Sequence, residues 1–387
     1  EASADFYGMI FKTINEEHVG ELSFFRVFSG TLNAGDDVHN ARSNASDKLR
    51  QIYCMNGKDR KEVVKLVSGD MGAVLKLKDS RINDTLSSSK NAYHLKKINF
   101  PSPNMRIAVE TATKGNEDKV ATALSIMNQE DPTFDYRVDA ELKQTILSVQ
   151  GEMQLDLTLN RMQSRFNVEL VKEKPKIPYR ETITSKAEAK YRHKKQSGGS
   201  GQFAEVWLRI EPGERGTGIE FSQSLTGQNV DRNFVPAVEK GIDAACLDGI
   251  VAGCKVVDLK IDFYDGKMHP VDSNDMAFQI AGKQAFSEAF KNAMPKLLEP
   301  IYKIQVKVPD ENMGDIMGDV SSRRGKVAGM DADGSYQVIN AEVPLANLHD
   351  YATALKSMTS GRGMFSQEFS HYEDVPHTEK ENIISAF

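Results

Sequence analysis

Cysteine is scarce in this chain: Cys54, Cys246 and Cys254 are the three present. They are scattered and form no C-x-x-C pair, which leaves no basis for a disulfide framework. No H-E-x-x-H motif and no Cys/His cluster occurs, so no metal site is expected. No run approaches the roughly 18 apolar residues of a membrane helix, and no signal peptide opens the chain. A cytoplasmic location is therefore the expectation. Basic residues are not in excess: 49 Lys and Arg stand against 55 Asp and Glu, for a net charge of −6. That argues against a uniformly basic nucleic-acid binder, yet a single basic face needs no basic average. A G-x-x-x-x-G-K-[ST] loop is missing, and with it the amide cradle and lysine that hold a nucleotide's phosphates. His193, His269, His349 and His371 have no evident Ser or Asp partners in sequence. No catalytic, cofactor-binding or metal-ligating residue is expected.

What is present fits ordinary folded protein. The 387 residues are 40% hydrophobic and 27% charged, enough for two to four domains at roughly 100–200 residues each. The chain opens on Glu1 and runs at once into a strand-like segment, residues 6–14, which suggests a piece of a longer protein.

Four blocks follow. In residues 1–93, short apolar segments (7–12, 21–28, 63–67 and 73–77) alternate with glycine-containing breaks, the pattern of a sandwich or barrel. Residues 97–172 read β-α-β-β-α-β, a ferredoxin-like order. Their first helix carries Val120, Leu124 and Met127 on one face, and their second Met153, Leu155, Leu159 and Met162. Residues 173–298 open with Pro175 and Pro178, a linker signal. Strands over 183–195 and 203–212 flank a Gly/Ser loop, a helix covers 233–245, a strand 256–263, and a long helix 275–291 places Phe278, Ala281, Ala285 and Ala289 along one side. Residues 299–376 read as a second β-α-β-β-α-β block, with a turn at Asp333-Gly334. The polar tail, 377–387, reads as disordered.

Three features carry functional candidates. Lys186, Lys190, Arg192, His193, Lys194 and Lys195 lead into Ser197, Gly198, Gly199, Ser200, Gly201 and Gln202. Alternation places Lys190, Arg192 and Lys194 on one strand face, and the glycines let RNA approach the backbone. A solvated edge whose lysines discourage aggregation is the other reading. The second feature is the loop 265–273. Asp272 or Ser273 is placed to cap the next helix, leaving His269 exposed as a surface residue or as a hydrogen-bonding or stacking contact to nucleic acid. The third is Arg323 and Arg324 at a helix end, where they complement the helix dipole or contact phosphates. Charge alone does not separate the two.

Longer stretches resemble elongation factor G. They are Gln196-Ser-Gly-Gly-Ser-Gly-Gln-Phe203, Phe234-Val-Pro-Ala-Val-Glu-Lys-Gly241, Val271-Asp-Ser-Asn-Asp-Met-Ala-Phe278, Leu298-Glu-Pro-Ile301, Met317-Gly-Asp-Val-Ser-Ser-Arg-Arg-Gly325, Ala341-Glu-Val-Pro-Leu345 and the run from Tyr351 to Gly363. Gly151-Glu-Met-Gln-Leu155 is similar to the family's G-x-G-E-L-H-L region. The matches keep their order over nearly the whole chain.

The resemblance implies a multidomain α+β protein: a translation-factor β-barrel, two ferredoxin-like domains, and between them an elongated tip domain of the ribosomal protein S5 domain 2-like class. It implies a monomer that binds the ribosome, through rRNA and ribosomal proteins, and acts on tRNA and mRNA. Residues 197–202 and 266–273, with His269 and Asp272, match the loops that enter the decoding region. Lys190, Arg192, Lys194, Lys195, Arg323 and Arg324 become rRNA phosphate contacts. GTP and Mg²⁺ are implied for the full-length parent alone. Ser200, Pro270, residues 148–150 and residues 227–233 depart from the family pattern, which suits a paralogue of the main translocase. A ribosome-protection, recycling or stress factor is the alternative, and a protein-binding scaffold the alternative outside translation.

Overall fold

A computed structural model describes residues 5–16, 19–90, 92–113, 115–196 and 201–386. The chain divides into two compact units, Glu1–Lys176 and Ile177–Phe387. The division falls between Pro175 and Pro178, the pair that reads as a linker in the sequence.

The first unit begins with short antiparallel strands: β1 (Tyr7–Glu16), β2 (Gly20–Ser29), β3 (Thr31–Asn33), β4 (Asp37–Asn40), β5 (Ser46–Lys48), β6 (Ile52–Asn56), β7 (Asp59–Val63), β8 (Lys65–Val67), β9 (Met71–Leu75) and β10 (Thr85–Ser87). Eight form a barrel-like sheet in the order β5-β4-β10-β1-β2-β9-β6-β7, and β3 pairs with β8. Alternate residues point inward and meet in one core of Ile10, Phe25, Val27, Leu32, Ile52 and Val74. The single strand expected over 63–67 is broken: β7 pairs with β6 and β8 with β3, and Val64 between them is 82% exposed.

The same unit continues with β11 (Met105–Thr111), α1 (Glu117–Glu130), β12 (Asp135–Asp139), β13 (Gln144–Val149), α2 (Glu152–Phe166) and β14 (Leu170–Glu173). The sheet order β12-β13-β11-β14 is ferredoxin-like. Helix α1 buries Val120, Ala123, Leu124 and Met127, as its spacing predicts. Helix α2 corrects its prediction. Leu155, Thr158 and Met162 are buried while Met153 is 86% exposed. Met153 lies two residues, about 200° of helix, from Leu155 and so faces away.

In the second unit the strand expected over 183–195 is two strands. β15 (Arg180–Ile183) and β16 (Ala187–Lys195) belong to different sheets. β16 joins β17 (Gln202–Pro212), β18 (Ile219–Gln223) and β19 (Leu259–Lys267) in the order β16-β17-β19-β18, with β18 and β19 parallel. Helices α3 (Val235–Asp248) and α4 (Asp275–Asn292) bury Val238, Ile242, Phe278, Ala281, Ala285 and Phe286 in one cluster with Val206, Leu208, Ile261 and Phe263 of the sheet. The helices touch through glycine: a Cβ on Gly241 would lie 2.2 Å from the Gln279 carbonyl oxygen. Glu181 on β15, 1% exposed, accepts the amides of Ile250, Val251, Ala252 and Cys254 at 2.8–3.1 Å. Those bonds supply the compensation a buried carboxylate requires and fix the turn after α3.

The last elements are β20 (Pro295–Pro309), α5 (Met313–Ser322), β21 (Lys326–Asp333), β22 (Tyr336–Pro344), α6 (Tyr351–Met358), β23 (Met364–Asp374) and α7 (His377–Ala386). β20 lies between β22 and β23, β21 lies outside β22, and β15 pairs with the start of β20. Excluding β15, this is again the ferredoxin-like order. The disorder expected after Pro376 is corrected. Residues there form α7, whose Ile383 and Ile384 pack against Ala252, Cys254 and Leu297 beside Tyr179. Two isoleucines in a polar segment suffice because the turn and β20 supply the apolar surface they cover. No described helix is long and apolar enough to cross a membrane.

Candidate nucleic-acid interface

Strands β16 and β17 stay paired out to Lys195 and Gln202. Ser197, Gly198, Gly199 and Ser200, four of the expected tip residues, lie outside the described residues. The strands on either side of this glycine-rich link are antiparallel neighbours, whereas amides that cradle phosphates sit where a strand turns into a helix. No lysine follows the link in the sequence.

The histidine loop closes onto the turn end of this hairpin. The Phe203 amide donates to the Asp272 carbonyl oxygen at 2.9 Å. The Ser273 hydroxyl donates to the Phe203 carbonyl at 2.8 Å and accepts the His269 amide at 2.8 Å. A Cβ on Gly201 would sit 2.9 Å from the Asp272 carboxyl carbon, so any larger residue there displaces the Asp272 side chain. Gln202 Oε1 lies 3.0 Å from His193 Nε2, and the Phe203 and His269 ring centroids are 6.3 Å apart. Gly201, Gln202, His269 and Asp272 therefore share one end of the domain.

His269 is half exposed. Its Nδ1 is 3.3 and 3.2 Å from the amides of Val271 and Asp272, and 3.3 Å from Asp272 Oδ2. One nitrogen cannot accept from the amides and donate to the carboxylate at once. Two converging amides favour Nδ1 as the acceptor, which leaves Nε2–H as the ring's donor. Neither Asp272 nor Ser273 caps α4. Asn274 does, accepting the Ala277 amide at 2.9 Å, because Ser273 is already committed to the loop closure. A third segment joins this end. The Met268 amide donates to the Asn229 carbonyl at 3.1 Å, and Val230 is buried against Gly266. Residues 227–233 read in sequence only as a departure from a pattern.

Lys190, Arg192 and Lys194 are exposed on one face of β16, as alternation requires, and Lys195 is exposed beside them. Lys190 Nζ lies 5.1 Å from the Trp207 ring centroid. Arg192 pairs with the buried Glu205, which also accepts the Trp207 indole N–H at 2.9 Å. Burial pushes the Glu205 carboxyl up, but the Trp207 and Arg192 hydrogen bonds and the nearby positive charges outweigh it and hold the group below the usual carboxylate range. Lys194 and Lys195 have no carboxylate partner among the described residues. Trp207 itself was missed in the sequence. The inward Val206 and Leu208 give the parity that turns it outward.

Arg323 and Arg324 are engaged within their own domain. Arg323, with a side chain 16% exposed, bonds Asp319 and Asp350 at 2.8 Å and the Asn347 carbonyl at 2.9 Å, and its guanidinium lies 5.2 Å from the Tyr351 ring centroid. Arg324 pairs with both oxygens of the buried Glu299. Close by, burial first and then the Glu299 charge push the Tyr179 hydroxyl up to about 12. These contacts favour the structural role for both arginines over phosphate binding.

Four family models match almost the whole chain: Elongation factor G domain 2 over residues 5–89, Elongation Factor G, domain III over 100–174, Elongation factor G, domain IV over 175–294, and Elongation factor G C-terminus over 296–383. A crystal structure of a protein from Thermus thermophilus is similar at a TM-score of 0.86 and 34% identity, over 99% of this chain and 57% of that one. The chain thus spans a little over half the length of that relative.

Proposed function

The chain belongs to the elongation factor G family, and from that membership we propose that it is the ribosome-engaging body of an elongation factor G-like translation factor. The end of the tip domain that holds Gly201, Gln202, His269 and Asp272 enters the decoding region and acts against tRNA and mRNA. The observation that carries this reading is the closure of the histidine loop on the hairpin through Phe203, Ser273 and Asp272, beside the uncompensated Lys194 and Lys195. A fixed donor, His269 Nε2–H, next to open cations suits RNA contact. GTP and Mg²⁺ belong to a nucleotide-binding domain that these residues do not build, and rearrangement of the domains couples its hydrolysis to movement. The test is translocation by the chain joined to such a domain, comparing His269→Ala with the parent. Unchanged translocation rates overturn the role given to the tip.

A ribosome-protection, recycling or stress role is the second reading. Pro270 after His269 and the contact of Asn229 and Val230 with the loop favour it, since both lie where the sequence departs from the family pattern. Displacement of a ribosome-bound drug in place of translocation separates the two.

A further inference from the structure

The sheet β16-β17-β19-β18 has a second face, opposite α3 and α4. Trp207 and Tyr264 stand on its two central strands, both partly exposed, with ring centroids 6.2 Å apart. Each ring has a cation near it: Lys190 5.1 Å from the Trp207 centroid and Arg209 4.8 Å from that of Tyr264. The carboxylates on this face near the rings are already engaged. Glu205 is held by Arg192 and Trp207, and Glu188 by Arg209 at 2.8 Å and the Tyr264 hydroxyl at 3.2 Å. What remains open is a pair of cations on the edge strand, Lys190 and Lys194, beside the Trp207 ring over which Lys190 lies.

We propose that this face binds a short single-stranded RNA, with one base stacked on Trp207 in the place Lys190 now holds and its phosphates drawn along Lys190 and Lys194. The aromatic face and the cation pair together complement a nucleotide, whose base is a π-surface and whose backbone is anionic. An acidic peptide would use the cations and leave Trp207 idle; a duplex keeps its bases stacked and cannot reach the ring. The inference rests on the ribosome-facing reading for RNA as the natural occupant, and it adds a contact away from the tip.

Trp207 is the only tryptophan in the chain, so its fluorescence reports this face alone. The full chain is titrated at low salt with a short oligouridylate, with an RNA duplex and with inorganic polyphosphate. The expected result is saturable quenching by the single strand alone. Lys190→Gln with Lys194→Gln weakens it and flattens its salt dependence. Trp207→Leu, checked for folding by circular dichroism and read by anisotropy of labelled oligonucleotide, weakens binding by about fivefold or more, the factor one stacked base carries. Unchanged Trp207 emission at saturating RNA overturns the proposal, as does equal quenching by polyphosphate or unchanged affinity in a folded Trp207→Leu variant. Oligonucleotide quenching in a chain that fails to bind ribosomes supports this face and removes the ribosome reading. Ribosome binding without quenching overturns this face alone.

Discussion

The Phe203 amide donates a 2.9 Å hydrogen bond to the carbonyl oxygen of Asp272, and this bond ties two loops about 70 residues apart in sequence into one surface. Ser273 reinforces it from the other side, accepting from His269 and donating to Phe203. Ser273→Ala removes both bonds. The expected cost is about 1–2 kcal/mol, confined to the tip. Hydrogen exchange checks this directly: the His269 and Phe203 amides lose protection while the amides of α4 keep theirs. Equal loss throughout the domain contradicts a local closure.

Arg324→Ala decides between the two roles of that residue. Glu299, 2% exposed, is left without its partner. The expected loss is about 2–3 kcal/mol, below the roughly 3–5 of a fully buried pair because the Arg324 side chain is 34% exposed. Urea unfolding measures it. A phosphate contact instead predicts near-normal stability and a shallower salt dependence of ribosome binding.

How much of this was legible in sequence varies with the range of the interaction. Helix faces are set by neighbours three and four residues away, and the buried stripe of Phe278, Ala281, Ala285 and Ala289 follows directly. The outward row Lys190, Arg192 and Lys194 follows from alternation in the same way. The division of residues 183–195 between two sheets does not, because it depends on β20, a strand far later in the chain. The partners of Arg323 and Arg324 are equally remote: Asp350 and Glu299 cannot be assigned to them from spacing. The docking of α7 was hidden for a different reason, since its own composition is polar and the apolar surface belongs to its neighbours.

Acid tests the Glu205 cluster. The folded carboxyl lies below its ordinary value, and an unfolded glutamate titrates near about 4.3. Its contribution is therefore present in full above that value and is lost as pH falls from there through the lower folded value. Stability measured at pH 7, 5 and 3.5 should hold between the first two and fall at the third. Glu205→Gln should be less stable at pH 7 with a shallower fall in acid. A parallel fall in both proteins contradicts the assignment.

Thiol chemistry reports on α7. Cys54 is exposed while Cys246 and Cys254 are buried, and burial pushes the Cys246 thiol up to about 12. A disulfide reagent should modify one thiol quickly in the intact chain. Removing residues 377–387 uncovers the surface around Cys254, and a second fast thiol should appear. No second thiol in a folded truncated chain contradicts the packing of α7 on that turn.

The central claim is that this body faces ribosomal RNA, and co-sedimentation of the chain with ribosomes across a salt series tests it most directly. The account predicts binding at low salt that falls linearly on logarithmic axes as salt rises, with a smaller slope when Lys190, Lys194 and Lys195 are neutralised together. No binding at low salt, even with a nucleotide-binding domain joined to the chain, or binding indifferent to both salt and those three substitutions, contradicts it and leaves a protein-binding scaffold as the better description.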